Sequence, residues 1–130
     1  MELKVGMYVR FDWKKQQLPI IIGKITEVHY DEDEKYYFYL TDNGLVIGED
    51  NLVKEPSYNI IDLIEVGDYV NNSKVIKIEE YNNEKYVYVE EMEFCNACNE
   101  DENVYYKEED IKSIVTKEQF SQMEYKVSND

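Results

Sequence analysis

Apolar and polar residues alternate along most of this chain with the two-residue period of a β-strand. The clearest runs are "KYYFYL" at residues 35–40 and "KYVYVE" at residues 85–90. In the first, Tyr36, Phe38 and Leu40 share one face and Tyr37 and Tyr39 the other; in the second, Tyr86 and Tyr88 oppose Val87 and Val89. Upstream of each lies a weaker alternating run, "KITEV" at 24–28 and "KVIKI" at 74–78, joined to it by the polar connectors "YDEDEK" and "YNNEK". Two strand-like runs around a short polar stretch predict a hairpin. Val5-Gly6 and Val66-Gly67 suit a turn that feeds a strand. Ser57 and Thr116 each head a short helical turn, and Thr116 with Gln119 fits a capping box. Phe120 and Met123 then point inward at helical spacing. The pattern places Val5, Val9, Ile25, Val28, Val66, Val70, Ile76 and Ile78 in the core, to within one residue of register.

These elements occur twice in the same order. "LKVGMYVR" (3–10) aligns with "IEVGDYVN" (64–71) at an offset of 61. "KITEVHYDEDEKYYFYL" (24–40) aligns with "KVIKIEEYNNEKYVYVE" (74–90) at 50, and "IGEDNLVKEPSYNII" (47–61) with "YKEEDIKSIVTKEQF" (106–120) at 59. The changing offset marks extra residues around "FDWKKQQLPII" in the first copy and around "MEFCNACNEDE" in the second. Four or five short strands and a helical turn in about 60 residues predict a small SH3-like barrel. The expected fold is therefore mainly β: tandem duplicated SH3-like modules at 1–61 and 62–130, each followed by a helical turn. One larger barrel or sandwich built from both copies is the alternative.

Charge narrows the choice of function. Fourteen Lys and Arg against 29 Asp and Glu give a net charge of −15, divided as −4 over residues 1–61 and −11 over 62–130. Nucleic acid and anionic membranes are met by basic surfaces, so this balance argues against both as direct ligands. The densest apolar runs, "LPIII" and "NIIDLI", fall far short of the ~20 residues that span a bilayer. With no secretory n-region before the patterned sequence, a soluble intracellular protein is expected.

No residue set predicts catalysis. His29 ends a strand-like run with no nucleophile patterned around it, and no glycine-rich phosphate loop is present. Cys95 and Cys98 form a C-x-x-C pair, half of a zinc site, but the chain has no second pair. Their acidic neighbours raise thiol pKa and disfavour redox work, which leaves zinc shared across a dimer or two plain thiols in a hairpin. Asp31, Glu32, Asp33 and Glu34 lack the spacing of a calcium loop and read as a solvated connector. No cofactor is expected. The strongest candidate is the segment 90–110, with nine acids (Glu90, Glu91, Glu93, Glu100, Asp101, Glu102, Glu108, Glu109, Asp110) and one base, Lys107. An array of carboxylates can occupy a groove built for phosphates and steer its own association. Tyr37 and Tyr88 are candidate anchors, since strand tyrosines facing outward serve at interfaces or in aromatic cages. An AT-rich coding sequence accounts for part of the tyrosine excess.

"NIIDLIEVGDYVN" (59–71) and "IKSIVTKEQF" (111–120) resemble stretches of small, acidic, uncharacterised proteins of phages and prophages in low-GC Gram-positive bacteria. The resemblance covers chiefly residues 59–130 and does not extend to residues 10–22. It implies a phage source and action in the cytoplasm of the bacterial host. With the charge and the absence of a catalytic set, the expected function is an inhibitor of a basic nucleic-acid-binding defence protein such as a CRISPR effector. The rival expectation is an SH3-like adaptor in virion assembly or regulation.

Overall fold

The computed structural model describes residues 3–12, 19–90 and 104–123. The first half forms a four-stranded antiparallel meander, β1 (Tyr8–Phe11), β2 (Ile21–Asp31), β3 (Tyr36–Thr41) and β4 (Val46–Ile47). The second repeats that order with β5 (Tyr69–Val70), β6 (Ser73–Tyr81), β7 (Glu84–Val89) and β8 (Val104–Tyr106), and adds β9 (Ile114–Val115) beside β5. Among the described residues, pairing closes neither sheet into the expected barrel. The end strands are short, and the first sheet gains only single bridges, Tyr8 with Ser57 and Phe11 with Leu52.

The correspondence between halves extends to irregularities. A bulge interrupts the pairing between Ile25 and Glu27 and again between Val75 and Lys77. Gly6 and Gly67 both have positive φ, 95° and 101°. The Gly6 N–H donates to the Ile25 carbonyl and the Gly67 N–H to that of Val75, both at 2.9 Å. A 3-10 turn follows the fourth strand in each, Glu49–Asn51 and Glu108–Asp110. One block of the sequence alignment needs correction. Tyr39 pairs with Val28 and Val87 with Ile78, so β3 maps onto β7 at an offset of 48, not 50. The cause is the hairpin turn, which is two residues shorter in the second half. Asn82 and Asn83 adopt positive φ (51° and 65°), the requirement of a two-residue turn matched to strand twist.

Two apolar clusters result, one per sheet. Leu3, Val9, Phe11, Ile21, Ile25, Tyr39 and Ile47 fill the first; Ile61, Ile64, Val70, Val75, Val87 and Val89 fill the second. Val9, Ile25 and Val70 are buried as expected, and Ile78 packs at the edge of its cluster. Val5, Val28, Val66 and Ile76 are exposed, against expectation. Val5 and Val66 are the corners of β-turns, closed by Met7 N–H to Lys4 C=O and Asp68 N–H to Glu65 C=O, with glycine supplying the positive φ at the next position. Ile76 is the extra residue of its bulge, which hands the inward face to Val75. Val28 lies on the core face opposite Tyr39, whose larger ring fills that part of the core and leaves Val28 37% exposed.

The halves meet at Arg10, which is 1% exposed. Its guanidinium grips Asp68, itself fully buried, in two bonds (Nη1 to Oδ2 2.6 Å, Nη2 to Oδ1 3.0 Å). It also donates to the Leu63 carbonyl at 3.0 Å and to Glu118 at 2.9 Å. The Asp68 carboxylate further accepts the N–H groups of Glu65 and Lys117. Thr116, buried at the start of α1 (Lys117–Met123), donates its hydroxyl to the Ile20 carbonyl at 2.5 Å. Its capping box with Gln119 is formed in both directions, at 3.0 and 3.1 Å. Ser57, by contrast, does not cap its helical turn. Its hydroxyl accepts Asn59 N–H and donates to Asp62, while Asn59 takes the capping position of the 3-10 turn Ile60–Leu63. Phe120 stacks on Tyr69 with ring centres 4.1 Å apart but stays 38% exposed, against the inward orientation expected, because α1 lays its ring over Tyr69 of β5 and not into a core. The side chain of Met123 lies outside the described residues.

Candidate functional site

β2 and β3 run on past their core as a two-stranded arm. From Thr26 to Tyr30 on β2, and at Tyr36 and Tyr37 on β3, every side chain is exposed. Such a ribbon is marginal without cross-strand contacts, and aromatic pairs supply them. Tyr30 lies against Tyr37 at 4.8 Å on one face, and His29 stacks on Phe38 at 5.1 Å on the other. His29 also lies 3.6 Å from Glu27. Asp31 shapes the tip by accepting the N–H groups of Asp33 (2.9 Å) and Glu34 (3.1 Å), so it is more than a solvated connector. Tyr37 and Tyr39 share a face, but Tyr39 is buried in the core while Tyr37 is 54% exposed. The inward face is thus that of Tyr39, and Tyr37 extends it into solvent.

Beside the arm, β4 and the Glu49–Asn51 turn enclose a groove of about 1270 Å³. Among the described residues, four carboxylates line it, Asp12, Asp31, Glu49 and Asp50, together with Tyr36 and Tyr37, and no lysine or arginine does. Glu49 accepts the Tyr39 hydroxyl at 3.2 Å. Among the described residues, the carboxylates of Asp12 and Asp50 have no hydrogen-bond or ion-pair partner. Uncompensated negative charge beside apolar walls attracts a cation more strongly than the same charge in open water.

The outer face of the second sheet is different. Tyr105 contacts Tyr86 at 5.5 Å and Tyr88 at 5.8 Å, with Lys107 over the Tyr86 ring and Lys77 over the Tyr88 ring. Glu84 accepts the Tyr86 hydroxyl at 3.0 Å, which stabilises the protonated phenol and pushes its pKa up. Among the described residues this face pairs its lysines, Lys77 with Glu79 and Lys107 with Glu84, unlike the groove.

Of the nine acids of the expected array, Glu90, Glu108, Glu109 and Asp110 are among the described residues. Glu90 and Glu109 are exposed. Asp110 is exposed too, and its side chain accepts the Lys107 N–H of its own turn at 3.1 Å. Glu108 is taken up by the fold: its two oxygens accept the N–H groups of Ile60 (3.0 Å) and Ile61 (2.9 Å), tying the Glu108–Asp110 turn to the helical turn of the first half. Glu108→Ala leaves both donors without their acceptor, and thermal unfolding should register a loss of about 1–3 kcal/mol. Tyr88 is half-buried within its tyrosine cluster. Glu91, Glu93, Glu100, Asp101, Glu102, Cys95 and Cys98 lie outside the described residues. Among those described, no three histidine, cysteine or carboxylate side chains gather to hold a metal ion, and no helix is long and apolar enough to cross a membrane.

Sequence reasoning overlooked Asp12, Glu49 and Asp50 as a group, and Tyr30 as the partner of Tyr37. The last had a legible signal, since the two residues sit symmetrically about the hairpin connector. No family model matches this chain, and no curated protein matches it.

Proposed function

We propose that this chain is a non-enzymatic, phage-encoded binding protein that blocks a basic, nucleic-acid-binding protein of its bacterial host, with CRISPR effector nucleases the class that fits best. It acts in the host cytoplasm, and its halves, 1–61 and 62–130, are two copies of one SH3-like module. The shared strand order, bulge and glycine turns support the duplication. The observation that carries the binding function is the groove beside the β2–β3 arm, lined by four carboxylates and flanked by exposed aromatic residues. A net charge of −15 adds long-range attraction to any basic surface.

Capture from host lysate on the immobilised protein tests this reading. The retained protein should be basic, and duplex DNA should displace it by competing for the same surface. Its affinity should fall by about tenfold or more between 50 and 200 mM salt, as expected when several exposed charges are screened. A partner indifferent to both DNA and salt would instead favour the adaptor reading, for which the face of Tyr86, Tyr88 and Tyr105 is the surface to examine.

A further inference from the structure

The groove has features beyond its charge. Four large apolar side chains stand exposed around it: Tyr36 (50%), Tyr37 (54%), Val46 (46%) and Val53 (46%). Exposed apolar side chains gathered at one concavity offer a surface that a partner can cover. Among the described residues β4 is also the edge strand of its sheet, so a chain entering the groove runs beside a strand rim. An occupant must therefore offer an extended backbone, a cationic group for the carboxylates and a flat surface for the tyrosine rings.

We propose that this groove seats an arginine side chain presented by an extended segment of the partner protein, an assignment that rests on the binding function proposed above. Guanidinium meets all the requirements of the side-chain site at once. It is planar and stacks on Tyr37, it is weakly hydrated and so enters a partly apolar groove readily, and its fork of N–H groups matches a carboxylate such as Asp50. An ammonium group supplies only a strongly hydrated point charge. Binding thus depends on particular side chains of the first half and not on total charge alone.

Fluorescence anisotropy with a labelled nine-residue peptide of glycine, serine and three arginines tests the assignment on the full chain. Tyr37→Ala should weaken binding about fivefold or more, the scale of a cation–π contact that is partly shielded from water. Tyr37→Phe keeps the ring and should bind like the unaltered protein. Asp50→Asn, an isosteric change at an exposed position, should weaken binding similarly without moving the thermal midpoint. Tyr81→Ala, at the tip of the other hairpin, should have no effect. Equal affinity for the lysine version of the peptide, or wild-type binding by both Tyr37→Ala and Asp50→Asn, would overturn the assignment. If host capture remains sensitive to salt and DNA in those variants, the proposed function stands and the groove is not its seat. If the peptide binds in the groove but lysate yields no basic partner, the groove assignment stands and the proposed function falls.

Discussion

Arg10→Ala should cost about 3–5 kcal/mol, the range for removing one member of a buried ion pair. Little of that loss comes from the attraction itself. Asp68 is fully buried, and without the guanidinium its charge stays in a low-dielectric site with only the N–H groups of Glu65 and Lys117 to satisfy it. The Leu63 carbonyl loses its donor as well. For a protein of this size, where total stability is about 5–15 kcal/mol, the substitution removes a large fraction of it. The effect on cooperativity should be equally clear. The two apolar clusters share no residue, and Arg10 is the principal side chain from one half held by the other. Urea unfolding followed by circular dichroism should show one transition for the native sequence and two, or one broadened, for Arg10→Ala. A change below about 1 kcal/mol with an unaltered transition would mean that the halves are held together by something else. Arg10→Lys should recover only part of the loss, because an ammonium cannot bond both oxygens of Asp68 while also reaching Leu63 and Glu118.

Phe11→Ala should destabilise by a similar amount, about 3–5 kcal/mol, for a different reason. Phe11 is fully buried, pairs with Ile21 across β1 and β2, and bridges to Leu52. Its ring passes so close to the backbone at Gly23 that a methyl group there would lie 3.3 Å from it. With the Gly23 backbone and the polar Asn43 side chain beside it on that side, the space left by the ring is refilled only in part. The separateness of the clusters supplies a check. Val87→Ala in the second core should add to Phe11→Ala within about 0.5 kcal/mol when both are combined, as independent sites do. Strong coupling between them would show that the two cores act as one.

The features legible in the sequence are those whose physics acts over a few residues. Alternation along β7 set Val87 and Val89 on the face opposite Tyr86 and Tyr88 because a strand turns its side chains with a fixed period of two. The capping box of Thr116 and Gln119 was legible because both partners lie within one helical turn. Gly6 and Gly67 marked their turns because a positive φ selects glycine at that very position. The bulges at Thr26 and Ile76 escaped that logic. One additional residue reverses the faces beyond it, and its cost is set by the pairing strand, not by the residue itself. That is why Ile76 seemed a core residue and is not.

Everything that joins distant parts of the chain was decided by packing. Arg10 and Asp68 are 58 residues apart, and Glu108 reaches Ile61 across 47; no periodicity links such pairs, since any carboxylate near the right place would have matched equally well on paper. The groove is the same case. Asp12, Asp31, Glu49 and Asp50 come from the end of one strand, the tip of a hairpin and a turn after β4. Alternation determined the β2–β3 and β6–β7 hairpins and a mainly β chain. Only the tertiary structure could bring those four acids and Tyr37 to one concavity, because where side chains meet depends on how strands register and sheets dock, which no local pattern encodes.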